Sequence, residues 1–208
     1  MLNLGILKSN RVLSLSCIAA LINYASFFGI IFYFSFYLQI AHGLSVQKAG
    51  LVLAFQPFMQ ALAQPVATRL LHSWSAGTVS ALGAGMCGLG LLACSFLDPD
   101  TPLAALFMAQ GLLGCGMSFF ALANTSILLE SAGKKFIGQA SGLTGAMRTA
   151  GQLISMTMIT LTMSLFLGSQ PVSLATMDGF MRSMRLDLII FGIVSLCGIG
   201  IVLARNKK

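Results

Sequence analysis

Residues 12–40 read VLSLSCIAALINYASFFGIIFYFSFYLQI, and this stretch contains no charged side chain. An α-helix needs about 20 consecutive apolar residues to cross the hydrocarbon core of a bilayer. The stretch from Val12 to Ile40 is long enough to span that core with a tilt, or to project beyond it. It therefore predicts a transmembrane helix, and the rest of the chain can be divided by the same criterion.

Five more apolar runs of similar length follow. Their connections are short, except for the polar segment 167–185, and no linker separates a soluble domain. We predict an all-α membrane protein with a six-helix transmembrane bundle over residues 12–204, a cytoplasmic N-terminal segment 1–11 and a cytoplasmic tail 205–208. The further runs are Ala49 to Leu71, which contains Pro57 and Pro65, Thr78 to Leu97, Leu103 to Leu129, Ile137 to Phe166 and Leu186 to Ala204.

The composition agrees with a membrane protein. Only 8% of the 208 residues are charged and 57% are hydrophobic, with a mean hydropathy of +0.90. A soluble domain usually has about 25% charged residues. The formal net charge is +7, yet Lys and Arg occur singly or in pairs and form no basic stripe with interleaved aromatics. Composition therefore predicts the lipid bilayer as a partner and argues against nucleic acid.

Lys and Arg are unequally divided between the two predicted faces of the membrane. Because cytoplasmic loops are enriched in these residues, the face with more Lys and Arg is predicted to be cytoplasmic. We therefore predict a multi-pass protein of the cell membrane with both termini in the cytoplasm. Arg148 is left out because it lies inside a predicted span. The face with both termini holds Lys8, Arg11, Arg69, Lys134, Lys135, Arg205, Lys207 and Lys208, and the opposite face holds Lys48, Arg182 and Arg185.

Three predicted spans carry polar side chains on one face. In the second span Gln56, Gln60 and Gln64 recur every four residues, and that spacing places them on the same side of a helix. Polar groups within a membrane face the bundle interior or a water-filled cavity, or they form hydrogen-bonded contacts between helices. We favour a hydrated substrate pathway formed by Asn23, Gln56, Gln60, Gln110, Asn124, Arg148 and Gln152.

Aromatic and small residues have two further predicted roles. Phe27, Phe28 and Phe120 either contact an apolar substrate or pack against neighbouring helices. Glycines allow membrane helices to approach each other closely. The glycines interpreted in this way are Gly83, Gly85, Gly88, Gly90, Gly138 and Gly142.

No catalytic group or metal site can be assembled from the sequence. His42 and His72 lie near opposite faces of the membrane, and none of the five cysteines forms a CxxC pair. The acidic residues are all predicted to lie in loops or at helix ends, so any acid that relays protons belongs to another polypeptide segment. We predict a protein that is not an enzyme and that has no cofactor and no metal. The acidic residues are Asp98, Asp100, Glu130, Asp178 and Asp187.

A short internal similarity occurs at an offset of 92 residues. It relates the second predicted helix to the fifth, as a repeat of three helices requires. Since each copy holds an odd number of helices, the two copies are inverted relative to the membrane, and we predict a three-plus-three inverted repeat. The aligned positions are Ala49-Gly50-Leu51 with Ser141-Gly142-Leu143, Gln56 with Arg148, and Gln60 with Gln152.

Several short motifs follow one another along nearly the whole chain. They are Phe36-Tyr37-Leu38-Gln39, Gly43-Leu44-Ser45, Ala49-Gly50-Leu51, Gln64 to Leu70, the glycines 111, 114 and 116, Ala140 to Leu143, and Arg148 to Gln152. Their order and spacing resemble the C-terminal six-helix half of major facilitator superfamily transporters, in particular the drug:proton antiporter branch. Two positions depart from that pattern, because Thr68 stands where the family usually has Gly and His72-Ser73 where it has an Asp-Arg pair.

The resemblance implies half of a major facilitator fold, in which the first and fourth helices line a cavity and the second and fifth flank it. It also implies multidrug or other small-molecule export by alternating access, with a second six-helix bundle as partner. Two alternatives stay open. One is a truncated remnant that inserts into the membrane and transports nothing, and the other is a homodimeric carrier or channel.

Overall fold

The computed structural model describes residues 10–133, 136–168 and 170–204. The predicted segment 1–11, apart from its last two residues, and the predicted tail 205–208 lie outside these ranges. The described chain forms seven α-helices and a short 3-10 helix, and these ranges contain no strand. The α-helices are α1 (Arg11–Ile40), α2 (Val46–Leu53), α3 (Phe55–Ser73), α4 (Ala76–Cys94), α5 (Leu103–Ala132), α6 (Ile137–Leu167) and α7 (Met177–Ala204).

Short polar side chains begin three of these helices. Asn10 accepts a hydrogen bond from the backbone N–H of Leu13 (3.1 Å) at the start of α1. Ser75 accepts one from the backbone N–H of Thr78 (3.2 Å) at the start of α4, and Ser45 caps α2 in the same way. Such caps satisfy N–H groups that have no partner within the helix. The chain therefore encodes these helix starts locally.

Five helical stretches are long and apolar enough to cross a membrane, namely α1, α4, α5, α6 and the stretch Leu174–Leu203 that contains most of α7. The prediction of an all-helical, multi-pass membrane protein is therefore confirmed. The predicted second span is divided at Ala54 into α2 and α3, and polar residues lower the hydropathy of α3. A sixth span stays a prediction. The polar residues of α3 include Gln56, Gln60, Gln64, Arg69 and His72.

The sixth predicted span begins earlier than the apolar pattern indicates. Helix α7 starts at Met177, nine residues before the predicted start at Leu186. Its first turns are polar yet helical. An ion pair between Asp178 and Arg182 (3.2 Å), one turn apart, stabilises these turns. Asp187 consequently lies within α7, where it is fully buried. The prediction that every acidic residue lies in a loop or at a helix end is wrong for this residue.

Glycines let α4 and α5 approach each other closely. A Cβ atom on Gly116 would lie 2.9 Å from the backbone nitrogen of Cys87 and 2.9 Å from the backbone oxygen of Gly83. A Cβ atom on Gly83 would in turn meet the backbone of Phe120. Close backbone contact through small residues is a common way for membrane helices to associate. The predicted packing role of Gly83 is therefore confirmed.

Glycines also allow close backbone contact between two other pairs of helices. A Cβ atom on Gly151 of α6 would lie 2.9 Å from the backbone nitrogen of Ala25 on α1, and one on Gly114 of α5 would lie 2.5 Å from the backbone oxygen of Gln56 on α3. A Cβ atom on Gly142 would meet nothing within 4 Å, and the same holds for Gly138. The close approach predicted for that pair is therefore not made within the described residues.

We expect Gly116→Ala to destabilise the bundle by about 1–3 kcal/mol, because the added methyl group has no room against the backbone of α4. Gly142→Ala is the matched control, since its methyl group enters open space and alanine is favoured over glycine within a helix by about 0.5–1 kcal/mol. The measurement is thermal unfolding of each purified variant in detergent micelles. Equal stability of the two variants would contradict this packing.

Candidate functional site

A cavity of about 190 Å³ opens on one side of the bundle. Four helices line it, and they are the first, second, fourth and fifth of the six predicted spans. Helices α4 and α7 contribute no lining residue. The lining residues are Tyr24, Phe27, Phe28 and Ile31 from α1, Gln60 from α3, Met117 from α5, and Arg148 and Gln152 from α6.

Helix α1 supplies the apolar wall of this cavity. Each of the residues Tyr24, Phe27, Phe28 and Ile31 lies three or four positions from two of the others, which is the spacing of one helix face. Phe27 and Phe28 are thus placed where an apolar substrate could contact them. Phe120 is 1% exposed and packs inside the bundle, so for this residue the packing alternative is the one observed.

Arg148 provides the positive charge of the cavity. Its guanidinium carbon lies 5.8 Å from the ring centroid of Tyr24, within the range of a cation–π interaction. Arg148 lies roughly 16 Å along α6 from the start of that helix, at a rise of about 1.5 Å per residue. In the described part of the chain no carboxylate pairs with it. The guanidinium is therefore available to a polar group of a bound molecule.

The structure brings three of the seven predicted pathway residues together. Gln60 of α3 and Arg148 and Gln152 of α6 line the cavity. Gln60 and Gln152 are half-buried, and Arg148 is exposed on the cavity face. The guanidinium of Arg148 lies over the ring of Tyr24, so the polar groups share the cavity with the aromatic side chains of α1. The result is an amphipathic cavity surface that combines aromatic side chains with amide and guanidinium groups.

The other four predicted pathway residues are buried between helices. Asn124 donates a hydrogen bond to the backbone oxygen of Ser16 on α1 (3.1 Å), and Asn23 lies 3.5 Å from Ser195 Oγ on α7. These contacts are of the kind that hold membrane helices together. The remaining two are Gln56, which is 3% exposed, and Gln110, which is fully buried. A place in the substrate pathway stays a prediction for all four residues.

A buried polar cluster that sequence reasoning missed lies between α1, α6 and α7. Asp187 Oδ2 accepts hydrogen bonds from the hydroxyl of Tyr33 (2.5 Å) and from Thr162 Oγ1 (2.7 Å). The hydroxyl of Tyr33 lies 2.9 Å from Ser183 Oγ. All four side chains are at most 4% exposed. A signal was present in the sequence, because Ser183 and Asp187 are spaced by one helical turn, but the predicted start of the helix excluded Ser183.

The loop between α4 and α5 is tied to α7 on the side of the bundle where α1 ends. Arg185 donates to Asp98 Oδ1 (2.9 Å) and to the backbone oxygen of Ser95 (3.1 Å). Tyr37 donates to the backbone oxygen of Asp98 (2.6 Å). These contacts connect α1, α7 and the loop at this end of the bundle.

Comparison with known proteins gives three similarities. The sequence model of the Major Facilitator Superfamily matches residues 2–156. The uncharacterized transporter YebQ of Escherichia coli (strain K12) is 29% identical over 131 residues, which cover 63% of this chain and 29% of that protein. The tetracenomycin C resistance and export protein of Streptomyces glaucescens is 28% identical over 129 residues, which cover 62% of this chain and 24% of that protein. The matched region is thus less than a third of the length of each relative.

We expect Asn124→Ala to lower the stability of the bundle by about 0.6 kcal/mol or somewhat more, the measured worth of a polar contact between membrane helices. Its hydrogen bond to Ser16 links α5 to α1. Gln152→Ala is the control, because that half-buried side chain faces the cavity and its loss should change stability by no more than about 0.5 kcal/mol. Unfolding in sodium dodecyl sulfate, followed by circular dichroism, compares them. A more stable Asn124→Ala variant would refute the structural role of the amide.

Proposed function

The chain belongs to the major facilitator superfamily, and from this premise we propose that it is one six-helix half of an exporter of small amphipathic molecules that works by alternating access. The family is one of transporters and not of enzymes. The observation that carries the proposal is the cavity that Phe27 and Phe28 line together with Gln60, Arg148 and Gln152. A molecule with an aromatic body and hydrogen-bonding groups matches these side chains. Multidrug efflux is therefore the activity that we infer.

The size of the cavity supports a second bundle as partner. Ligand pockets usually have volumes of about 300–1,000 Å³, whereas this cavity has about 190 Å³. The chain by itself therefore supplies one side of a binding site. A second six-helix bundle, whether the missing half or a second copy, would enclose the substrate from the other side. The matched region's short span relative to the two relatives agrees with this proposal.

An exposed row of small residues on α6 lies next to the cavity. Gly138, Gly142 and Gly145 are spaced by four and three residues, are exposed, and face open space. Thr149 continues this row beside Arg148. Since small residues are enriched where membrane helices contact each other closely, we propose that a helix of the second bundle packs against this row.

The three-plus-three inverted repeat is part of the same proposal. The internal similarity pairs Gln60 with Gln152, and both of these residues line the cavity. The two copies would then comprise the first three and the last three spans, related by an axis in the membrane plane. Rocking of one bundle against the other around the cavity would give alternating access.

We further propose that both termini lie in the cytoplasm and that the protein resides in the cell membrane, which is the inner membrane of a bacterium with two membranes. The support is the distribution of Lys and Arg. Among the residues that the structure describes, Arg11 and Arg69 lie at the ends of α1 and α3 on one side of the bundle, and Lys48, Arg182 and Arg185 lie on the other. The remaining charges used in this assignment lie outside the described residues.

The proposal is tested by expressing the chain with and without a candidate first-half chain and measuring efflux of a fluorescent amphipathic dye. We expect efflux only when both chains are present. Equal efflux in the two cases would refute the half-transporter proposal, and crosslinked dimers would then favour the homodimeric carrier. Absence of efflux in both cases, with both chains inserted in the membrane, would favour the remnant.

We expect Gln60→Leu to reduce dye efflux by about 3–10-fold, because a lost hydrogen bond to the substrate costs about 0.5–1.5 kcal/mol. Gln64→Leu is the matched control, since Gln64 lies one turn further along α3 and does not line the cavity. It should retain efflux at an equal amount of protein in the membrane. A larger loss in Gln64→Leu than in Gln60→Leu would contradict the assignment of the cavity as the binding site.

A further inference from the structure

We propose that a pocket between the start of α7 and the loop joining α4 to α5 binds the headgroup of a phospholipid that carries a phosphate and a primary ammonium group, a phosphatidylethanolamine. The inference rests on the membrane-spanning fold and does not depend on the proposed transport function. It comes from the position of this charged pocket, which lies at the head of an exposed apolar face of α7.

The pocket has a volume of about 560 Å³ and contains charges of both signs. Asp98 of the loop and Asp178, Arg182 and Arg185 of α7 line it. The three residues of α7 are spaced by four and three positions, so they lie on one helix face. Two positive and two negative groups give the pocket a formal charge of zero. A zwitterionic headgroup therefore matches it better than an anion or a cation does.

The two arginines provide the donors that a phosphate group needs. A guanidinium group has several N–H donors and binds phosphate oxygens in a fork geometry. In the described chain Arg182 uses one of these donors for Asp178, and Arg185 uses two, for Asp98 and for the backbone oxygen of Ser95. Both side chains thus retain N–H groups for a ligand while their ion pairs stay formed.

The two carboxylates favour a primary ammonium over a choline group. Asp98 meets Arg185 through Oδ1, and Asp178 meets Arg182 through Oδ2, so each carboxylate retains oxygen lone pairs that can accept from an N–H group. A quaternary ammonium has no N–H to donate and is recognised by aromatic cages instead. Among the described residues that line this pocket, none is aromatic. The lining therefore indicates an ethanolamine headgroup.

An apolar stripe on α7 continues from the pocket along the helix. Leu186, Ile189 and Ile193 follow Arg182 at intervals of four, three and four residues, which places all of them on one face. The three apolar side chains are between 36% and 50% exposed. From Arg182 to Ile193 the stripe is roughly 16 Å long at about 1.5 Å per residue, close to half of a hydrocarbon core of about 30 Å. This length suits an acyl chain within one leaflet.

The pocket also lies at the level of the membrane where headgroups are found. After Arg185, α7 is apolar up to Ala204 apart from the buried Asp187 and a few small polar residues. Arg185 thus marks the boundary between the hydrocarbon core and the interface, where arginine side chains are enriched. Leu174, Met177 and Met181 add apolar surface to the pocket itself. Headgroup and acyl chain consequently both find complementary surfaces.

A lipid in this pocket would connect the α4–α5 loop to α7. Asp98 belongs to the loop, whereas both arginines belong to α7. The loop is already held there by Arg185 and by Tyr37, which donates to the backbone oxygen of Asp98. The headgroup would add contacts across the same junction. We therefore expect phosphatidylethanolamine to raise the thermal unfolding temperature of the chain in detergent micelles more than phosphatidylcholine does.

The first test is native mass spectrometry of the purified chain with phosphatidylethanolamine, phosphatidylcholine or phosphatidylglycerol of identical acyl chains. We expect phosphatidylethanolamine to be retained about 3–10-fold more than either of the others, the ratio that one hydrogen bond provides. Equal retention of phosphatidylcholine would overturn recognition of the ammonium group. Stronger retention of phosphatidylglycerol would mean that the pocket binds anionic lipids, and the proposal would be overturned.

The arginines are tested with Arg182→Gln, which should retain about 3–10-fold less phosphatidylethanolamine. The variant should fold, because the ion pair that it removes is 70% and 90% exposed and such pairs contribute little to stability. Lys48→Gln is the matched control, since it removes a positive charge near the same membrane face but outside the pocket. An equal loss in both variants would indicate general surface electrostatics and refute a specific site.

The carboxylates are tested with Asp178→Asn, which keeps both arginines and removes one partner of the ammonium group. We expect this variant to retain phosphatidylglycerol at least as well as phosphatidylethanolamine. Asp100→Asn is the matched control, because Asp100 lies in the α4–α5 loop without lining the pocket, and it should keep the wild-type preference. An unchanged preference in Asp178→Asn would contradict the role of the carboxylate.

The source of the headgroup is tested by competition with glycerophosphoethanolamine, which has the same charged groups and no acyl chains. We expect bound phosphatidylethanolamine to persist in an excess of this soluble compound, because the stripe on α7 holds the acyl chain. Displacement at equal concentrations would mean that the pocket binds a soluble phosphate compound, and the lipid assignment would be overturned. None of these measurements requires transport, so a failure of the lipid site is distinguishable from a failure of the proposed function.

Discussion

The structure depends on the absence of water from the hydrocarbon core of the membrane. A backbone N–H or C=O group in that environment must find its partner within the protein, and continuous helices provide it. The same constraint applies to side chains, because a polar group that faces lipid remains unsatisfied. It explains why Asn124 and Asp187 lie between helices with hydrogen-bond partners, and why polar residues of α6 face the cavity.

Helix α1 occupies the central position in this arrangement, since it contributes to two different polar environments. One face carries Tyr24, Phe27 and Phe28 into the cavity. The opposite face carries Tyr33 to Asp187 and Tyr37 to the loop at Asp98. Close contact with α6 through Gly151 means that a movement of α1 changes both environments. This geometry links the cavity physically to the buried polar cluster around Asp187.

The candidate site shows what periodicity can and cannot predict. The recurrence of Gln56 and Gln60 identified a polar face of α3, yet only Gln60 reaches the cavity, because Gln56 is buried where α3 meets α5 at Gly114. The apolar pattern also placed Asp187 at a helix end, since the predicted span Leu186 to Ala204 begins directly after Arg185. The polar residues before it extend α7 by more than two turns, and this extension moves Asp187 into the bundle.

The sequence by itself determined that the chain is helical, that it crosses a membrane several times, and approximately where most of the long helices begin and end. It could do so because these properties follow from the length and composition of single apolar segments. Only the tertiary structure decided which polar residues meet. Gln60 and Gln152 are far apart in the chain, as are Tyr33 and Asp187, and their proximity depends on how closely glycine contacts let the helices approach. The distances between these side chains depend on the packing of several helices, and the sequence of a single helix does not determine them.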